Sequence, residues 1–282
     1  MPDIWGQAAI IIKVALYLGV LTAVGSVIVA LVFRLERLRG VALVFAVVGL
    51  VAAALSFSLS GANLTGDASG MTDPEMLGLL WTTSVGTAFM VRLIGLGLLI
   101  LGLFLGRGGL WLSAVGGLVS LWSFVQVSHV STRENVLLDI SLMLHLVTIG
   151  FWIGILIPLK RLASAEVTWP EAADLGHRFG ILAKIMIPVL IVAGVYMSYV
   201  LVGSFKSLVN TGYGQALILK VVFVAGLLAL GAANKLRFIP ALQAKDPHAA
   251  GHLSKSISVE WGVILAVIGT TALLTSNLTL PT

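Results

Sequence analysis

Eight apolar stretches, each about long enough to cross a bilayer, dictate what this chain can fold into. A helix spanning the hydrocarbon needs about 20 mostly apolar residues. The stretches run Ala8–Phe33, Val41–Ser60, Trp81–Leu105, Leu110–Val127, Leu138–Leu159, Phe179–Val202, Tyr213–Leu236 and Ser256–Ser276. Lipid offers backbone groups no hydrogen-bond partner, so each stretch is expected to be helical. The expected fold is all-α: a polytopic integral membrane bundle of about eight transmembrane helices, with residues 1–282 forming one transmembrane domain. Composition agrees, since 59% of the residues are hydrophobic and 10% charged, against about 25% charged in soluble domains. The fourth stretch is the shortest and is expected to continue past His129 as a more polar turn. Asp3 and the lack of a basic leader mark the first stretch as a retained helix rather than a cleavable signal.

The connections set an orientation. Arg34, Arg37 and Arg39 follow the first stretch, Arg107 the third, Lys160 and Arg161 the fifth, and Lys235, Arg237 and Lys245 the seventh. The second connection carries Asp67, Asp73 and Glu75 with no basic residue. Basic loops stay in the cytoplasm, so the N- and C-termini are expected on the periplasmic side. This distribution also accounts for the sequence pI of about 9.7. The basic residues form loop clusters rather than one patch, which points to the lipid bilayer as partner and not to nucleic acid.

Two histidines stand out. His129 and His145 flank the polar stretch Ser131–Asp139, which reads as the turn of a helical hairpin. Equidistant from that turn, they are expected at one depth near the periplasmic face. Polar residues inside lipid mark functional sites, and two imidazoles at one level suggest a metal site. Ser141, His145, Thr148 and Trp152 share a helical stripe, which must face protein or water. The plain alternative for His145 is a bond to a neighbouring carbonyl, and for His129 simple solvation at the interface. The chain has no cysteine, so ligands must come from His, Met, carboxylate or backbone groups. Met71, Met76, Asp67, Asp73 and Glu75 share the periplasmic side but read more simply as loop residues. Imidazole suits copper, zinc, nickel or haem iron. Packed hairpin helices lie about 8–10 Å apart, which favours a small ion over a porphyrin.

Other charges within the spans have structural readings. Lys13, Lys184 and Lys220 are expected to snorkel. Arg92 is deeper and is expected to pair with a polar group of the bundle. Glu260 is expected to meet Lys235 or Arg237. Gly150 and Gly154 form a G-x-x-x-G that admits a close helix. His177, His248 and His252 fall in or beside cytoplasmic loops and read as surface residues. There is no P-loop, G-x-S-x-G or H-E-x-x-H, so the chain is not expected to be an enzyme.

Several short segments occur in a definite order. Thr82–Thr83, Gly86 and Arg92 come first, then Leu144–His145–Leu146 with Phe151–Trp152–Ile153–Gly154, then Arg178–Phe179. Tyr213–Gly214, Lys220, Gly231–Ala232–Ala233–Asn234–Lys235 and Pro240 follow, with Glu260 and Gly262 last. In this order and spacing they resemble the CopD family of bacterial copper-resistance inner-membrane proteins. Where that family usually has Gly-His-Ala, this chain has Ser128–His129–Val130, which keeps the histidine and changes its neighbours. The resemblance implies a multi-pass inner-membrane protein that binds a copper ion from the periplasm and transports it across the membrane. It would serve copper resistance and homeostasis, often beside a periplasmic copper-binding protein of the CopC type. His129 and His145 are then the expected copper ligands, with the acidic second connection concentrating cations nearby. Two other readings use the same residues: a haem-binding electron-transfer protein, or a non-transporting scaffold or sensor for a periplasmic copper carrier.

Overall fold

The computed structural model describes residues 4–127 and 135–276. Its long helices are α1 (Ile4–Phe33), α2 (Arg39–Thr65), α4 (Ser84–Phe104), α5 (Gly106–Gln126), α6 (Val136–Ala163), α7 (Trp169–Val202), α9 (Gly212–Ala233) and α11 (Ala249–Ser276). Three short ones join them: α3 (Pro74–Trp81), α8 (Phe205–Asn210) and α10 (Ile239–Gln243). Eight helices are long and apolar enough to cross a membrane, and the described residues contain no strand. The expected all-α, eight-span bundle is what forms. Large apolar side chains such as Val44, Ile94, Ile185 and Val192 remain exposed on its perimeter, where a bilayer is their natural solvent.

Local chemistry sets the helix ends. Gly66, at φ 73°, closes α2 in the left-handed conformation that glycine adopts without strain. The Asp73 carboxylate accepts from the Glu75 and Met76 amides and starts α3, with Pro74 in the first turn. Thr83 caps α4, Asn135 caps α6 and Thr211 caps α9, each by accepting a backbone N–H. The expected continuation of the fourth span past His129 lies outside the described residues. α5 ends at Gln126, and Val127 (φ −114°, ψ 8°) has left helical geometry.

The central helix is α1, with 72% of its most apolar window buried, against 0% for α9 at the periphery. It packs against α2, α5, α6 and α11. Gly25 is what brings α6 close: a Cβ there would lie 1.8 Å from the Gly150 carbonyl oxygen. One at Gly154 would lie 2.3 Å from the Gly25 carbonyl carbon. The G-x-x-x-G of α6 is thus a real packing seam onto α1. Because the spans alternate in direction, α1 begins and α11 ends on one side, here called the terminus side. The connections carrying Arg34, Arg37, Arg39, Lys160, Arg161, Lys235 and Arg237 lie on the opposite, basic side.

Candidate functional site

His145 sits in α6 nine residues past Val136, about 13 Å along the axis from the terminus-side end. Its imidazole packs onto α7 where that helix has no side chain to interpose. A Cβ placed on Gly194 would lie 3.8 Å from Cε1 of the ring. One turn earlier on α7, the Leu190 backbone lies near the imidazole. The imidazole Nδ1 is buried with no hydrogen-bond partner among the described residues. An imidazole nitrogen held away from water without a partner is costly. It is also what a metal ligand looks like before its ion arrives.

Lys220, on α9 eight residues past Gly212, is within electrostatic range of His145. Its depth matches that of His145 because both lie eight or nine residues from the terminus-side ends of their helices. Lys220 is mostly enclosed rather than snorkelling freely. The site therefore combines a buried imidazole with a lysine at the same depth of the bundle.

His129 lies outside the described residues, so the pairing of the two histidines is left to experiment. The helices on either side do meet, since α5 and α6 pack together. Among the described residues, no group of three or more His, Cys, Asp or Glu side chains is arranged to hold a metal ion. The carboxylates of the second connection already have local work. Asp67 accepts from the Ser69 amide at 2.8 Å, and Asp73 caps α3. That backbone hydrogen bond from Ser69 holds the Asp67 carboxyl below its ordinary pKa of 3.8.

The stripe of α6 continues inward. Ser141 and Thr148 are buried, and Thr148 and Trp152 line a small cleft against Phe179, Ala183 and Met186 of α7. The Trp152 ring rests on α9, where a Cβ at Gly231 would lie 2.8 Å from its edge. Its indole Nε1 donates to Glu260 Oε2 at 3.0 Å. Asn234 Nδ2 donates to the other carboxylate oxygen. Glu260 is 1% exposed. It meets these neutral donors instead of Lys235 or Arg237, a correction to the expected ion pair. The reason is geometric: a π-helical turn over Asn234–Phe238 aims Asn234 inward, while Lys235 lies along Gly180 of α7 and Arg237 lies over the Phe238 ring. The cue in the sequence was an intramembrane carboxylate one helix away from a Gly-rich segment ending in Asn234, but pairing charges by sign concealed it.

A second polar cluster lies at the same depth as His145, on the other side of α1. Arg92 Nε donates to Ser123 Oγ at 2.9 Å, and its guanidinium lies 4.6 Å from the centroid of Phe124. Phe124 stacks on Tyr17 at 4.8 Å. Lys13 Nζ donates to the Thr275 carbonyl at 2.9 Å, tying the start of α1 to the end of α11. The expected polar partner of Arg92 is thus Ser123. His177, His248 and His252 are exposed, as expected of surface residues.

Comparison with known proteins bears on the copper reading. Residues 1–140 match the family model for the copper resistance protein D-like N-terminal domain. Residues 173–274 match the model for copper resistance protein D. The chain is also similar to the copper transport protein CutJ of Bacillus subtilis (strain 168), 31% identical over 136 residues. That alignment covers 47% of this chain and 24% of the relative, so the chain spans about a quarter of the curated protein it matches. No solved structure matches. The two family models leave unmatched residues 141–172, which include most of α6 and with it His145, and the last residues 275–282; on their joint span the chain belongs to the copper resistance protein D family.

Proposed function

We propose that this protein takes copper from the periplasm at a site including His145 and His129, and carries it across the bacterial inner membrane. The observation that supports this most directly is the buried, unpartnered Nδ1 of His145 at the α6–α7 contact. Family membership supplies the ion, since imidazole alone would suit several metals. The basic connections support a periplasmic position for the terminus side, and with it for His145. On that side a CopC-type protein would deliver copper. The protein acts as a carrier, not an enzyme.

Lys220 suits a carrier. A site that moves an ion must bind it well enough to capture it and weakly enough to release it. A fixed positive charge near the ligand lowers the affinity for any cation and helps release.

The test is copper content and affinity of the purified protein, for wild type, His129→Ala and His145→Ala, with an absorption spectrum on each. Stoichiometric copper lost in both variants, without a Soret band, supports the shared site and leads to flux measurements in proteoliposomes. Copper kept in both variants removes the histidines as ligands. A Soret band that disappears with them moves the protein to the haem class.

A further inference from the structure

Glu260 is a buried carboxyl for which the transport reading has so far no use. It is 1% exposed, inside a span, and makes no ion pair among the described residues. The charged groups of the neighbouring elements are engaged elsewhere or point away. From α6, Lys160 donates to Ser258 Oγ at 2.7 Å. From the π-helical turn, Lys235 follows Gly180 and Arg237 covers Phe238. From α7, Arg178 sits over Phe33 and within 3.6 Å of Asp174, while Lys184 is exposed. On α11 itself, His252 lies against Phe238 and Lys255 is exposed. From α1, Lys13 reaches Thr275 at the far end.

What surrounds the carboxyl is a donor that cannot change and a partner that can. The Trp152 indole only donates. The Asn234 amide presents Nδ2 to Glu260, while its Oδ1 is buried with no hydrogen-bond partner among the described residues. Which end of an amide faces its neighbour is decided by the network around it. In one orientation Asn234 donates to a carboxylate. Turned over, its oxygen accepts from a carboxylic acid, and the orphaned acceptor is satisfied. The same three side chains therefore accommodate both protonation states. Among the described residues, no cluster of His, Cys, Asp or Glu makes the place a metal site.

We propose that Glu260 is a proton-binding site through which copper movement is coupled to protons. A hydronium ion from the basic side gives its proton to Oε1 of the Glu260 carboxylate, an O–H bond forms, and water leaves. The new acid donates to Asn234 Oδ1, and Trp152 Nε1 keeps its bond to Oε2. Trp152 connects this event to the copper site, for it lies seven residues past His145 on the same helical stripe. This coupling rests on the transport reading above, whereas proton binding at Glu260 does not.

Two measurements separate them. Infrared difference spectra of the purified wild type, stepped in pH, should show a buried carboxylic-acid carbonyl band that Glu260→Gln abolishes. Copper flux in proteoliposomes under an imposed pH gradient should change several-fold in wild type. Glu260→Gln, which keeps an acceptor for Trp152, should still pass copper but ignore the gradient. A spectrum unchanged by Glu260→Gln overturns the proton site, whatever the flux. A band that disappears, with wild type and variant responding equally to the gradient, overturns the coupling. No copper flux in wild type, with the band still lost in the variant, overturns the transport reading and the coupling and leaves the proton site standing.

Discussion

At the scale of single residues, the balance around His145 makes the firmest predictions. His145→Ala should lower copper affinity by at least about tenfold, the scale reached even by losses behind a ligand. Its melting temperature in detergent should move little, because truncation also removes a buried nitrogen that had no partner. Lys220→Met should act in the opposite sense. Without the ammonium, copper should bind several-fold more tightly and leave more slowly, which equilibrium dialysis and efflux from loaded proteoliposomes would register; unchanged affinity would remove Lys220 from the site. Asp67 offers a pH test away from the membrane. Its folded pKa is held below 3.8 by the Ser69 amide, so the contribution of this bond is complete above that ordinary value. It is lost as pH falls through the lower, folded value. Hydrogen exchange at the Ser69 amide should therefore stay slow down to about pH 4 and accelerate only under more acidic conditions, with no such step in Asp67→Ala. The need of Arg92 for a polar partner in the bundle was legible in the sequence, because polar groups in lipid are conspicuous. The role of Asp67 and Asp73 was not, since an acidic loop reads the same whether its carboxylates collect cations or cap turns.

Between elements, close approach decides. A side chain at Gly25 would collide with the backbone of Gly150, and neither helix can retreat without opening the core. Gly25→Ala and Gly154→Ala should each destabilise the bundle by about 1–3 kcal/mol, the usual penalty of overpacking. Gly97→Ala, on α4 with nothing within 4 Å of the new Cβ, should be neutral or stabilise by up to about 1 kcal/mol through helix propensity. Thermal denaturation of the three variants in one detergent is the comparison, and equal melting temperatures would contradict the seam. The G-x-x-x-G was visible in α6, but its partner was not, because small residues also recur along α1, α4 and α5 and nothing in spacing says which pair will meet. The π-helical turn at Asn234–Phe238 was equally hidden. It depends on a one-residue adjustment at the end of α9 that places Asn234, rather than the adjacent Lys235, against Glu260.

For the whole molecule, the charge distribution implies a testable topology. Reporters fused to either end should signal from the periplasm: alkaline phosphatase active and green fluorescent protein dark, with the reverse after truncation behind Lys160 or Lys245. Opposite signals would turn the molecule over and place His145 near the cytoplasm. The number of spans and their alternation followed from the sequence alone, because the length of a bilayer and its intolerance of bare backbone leave few choices. Sequence also located the polar residues that lipid would not accept. Only the tertiary structure decided which of them meet. Helices of nearly uniform apolar surface carry little information about their neighbours, so the placing of His145 on Gly194 and of Trp152 and Asn234 around Glu260 comes from backbone approach at glycines and from hydrogen bonding between buried polar groups.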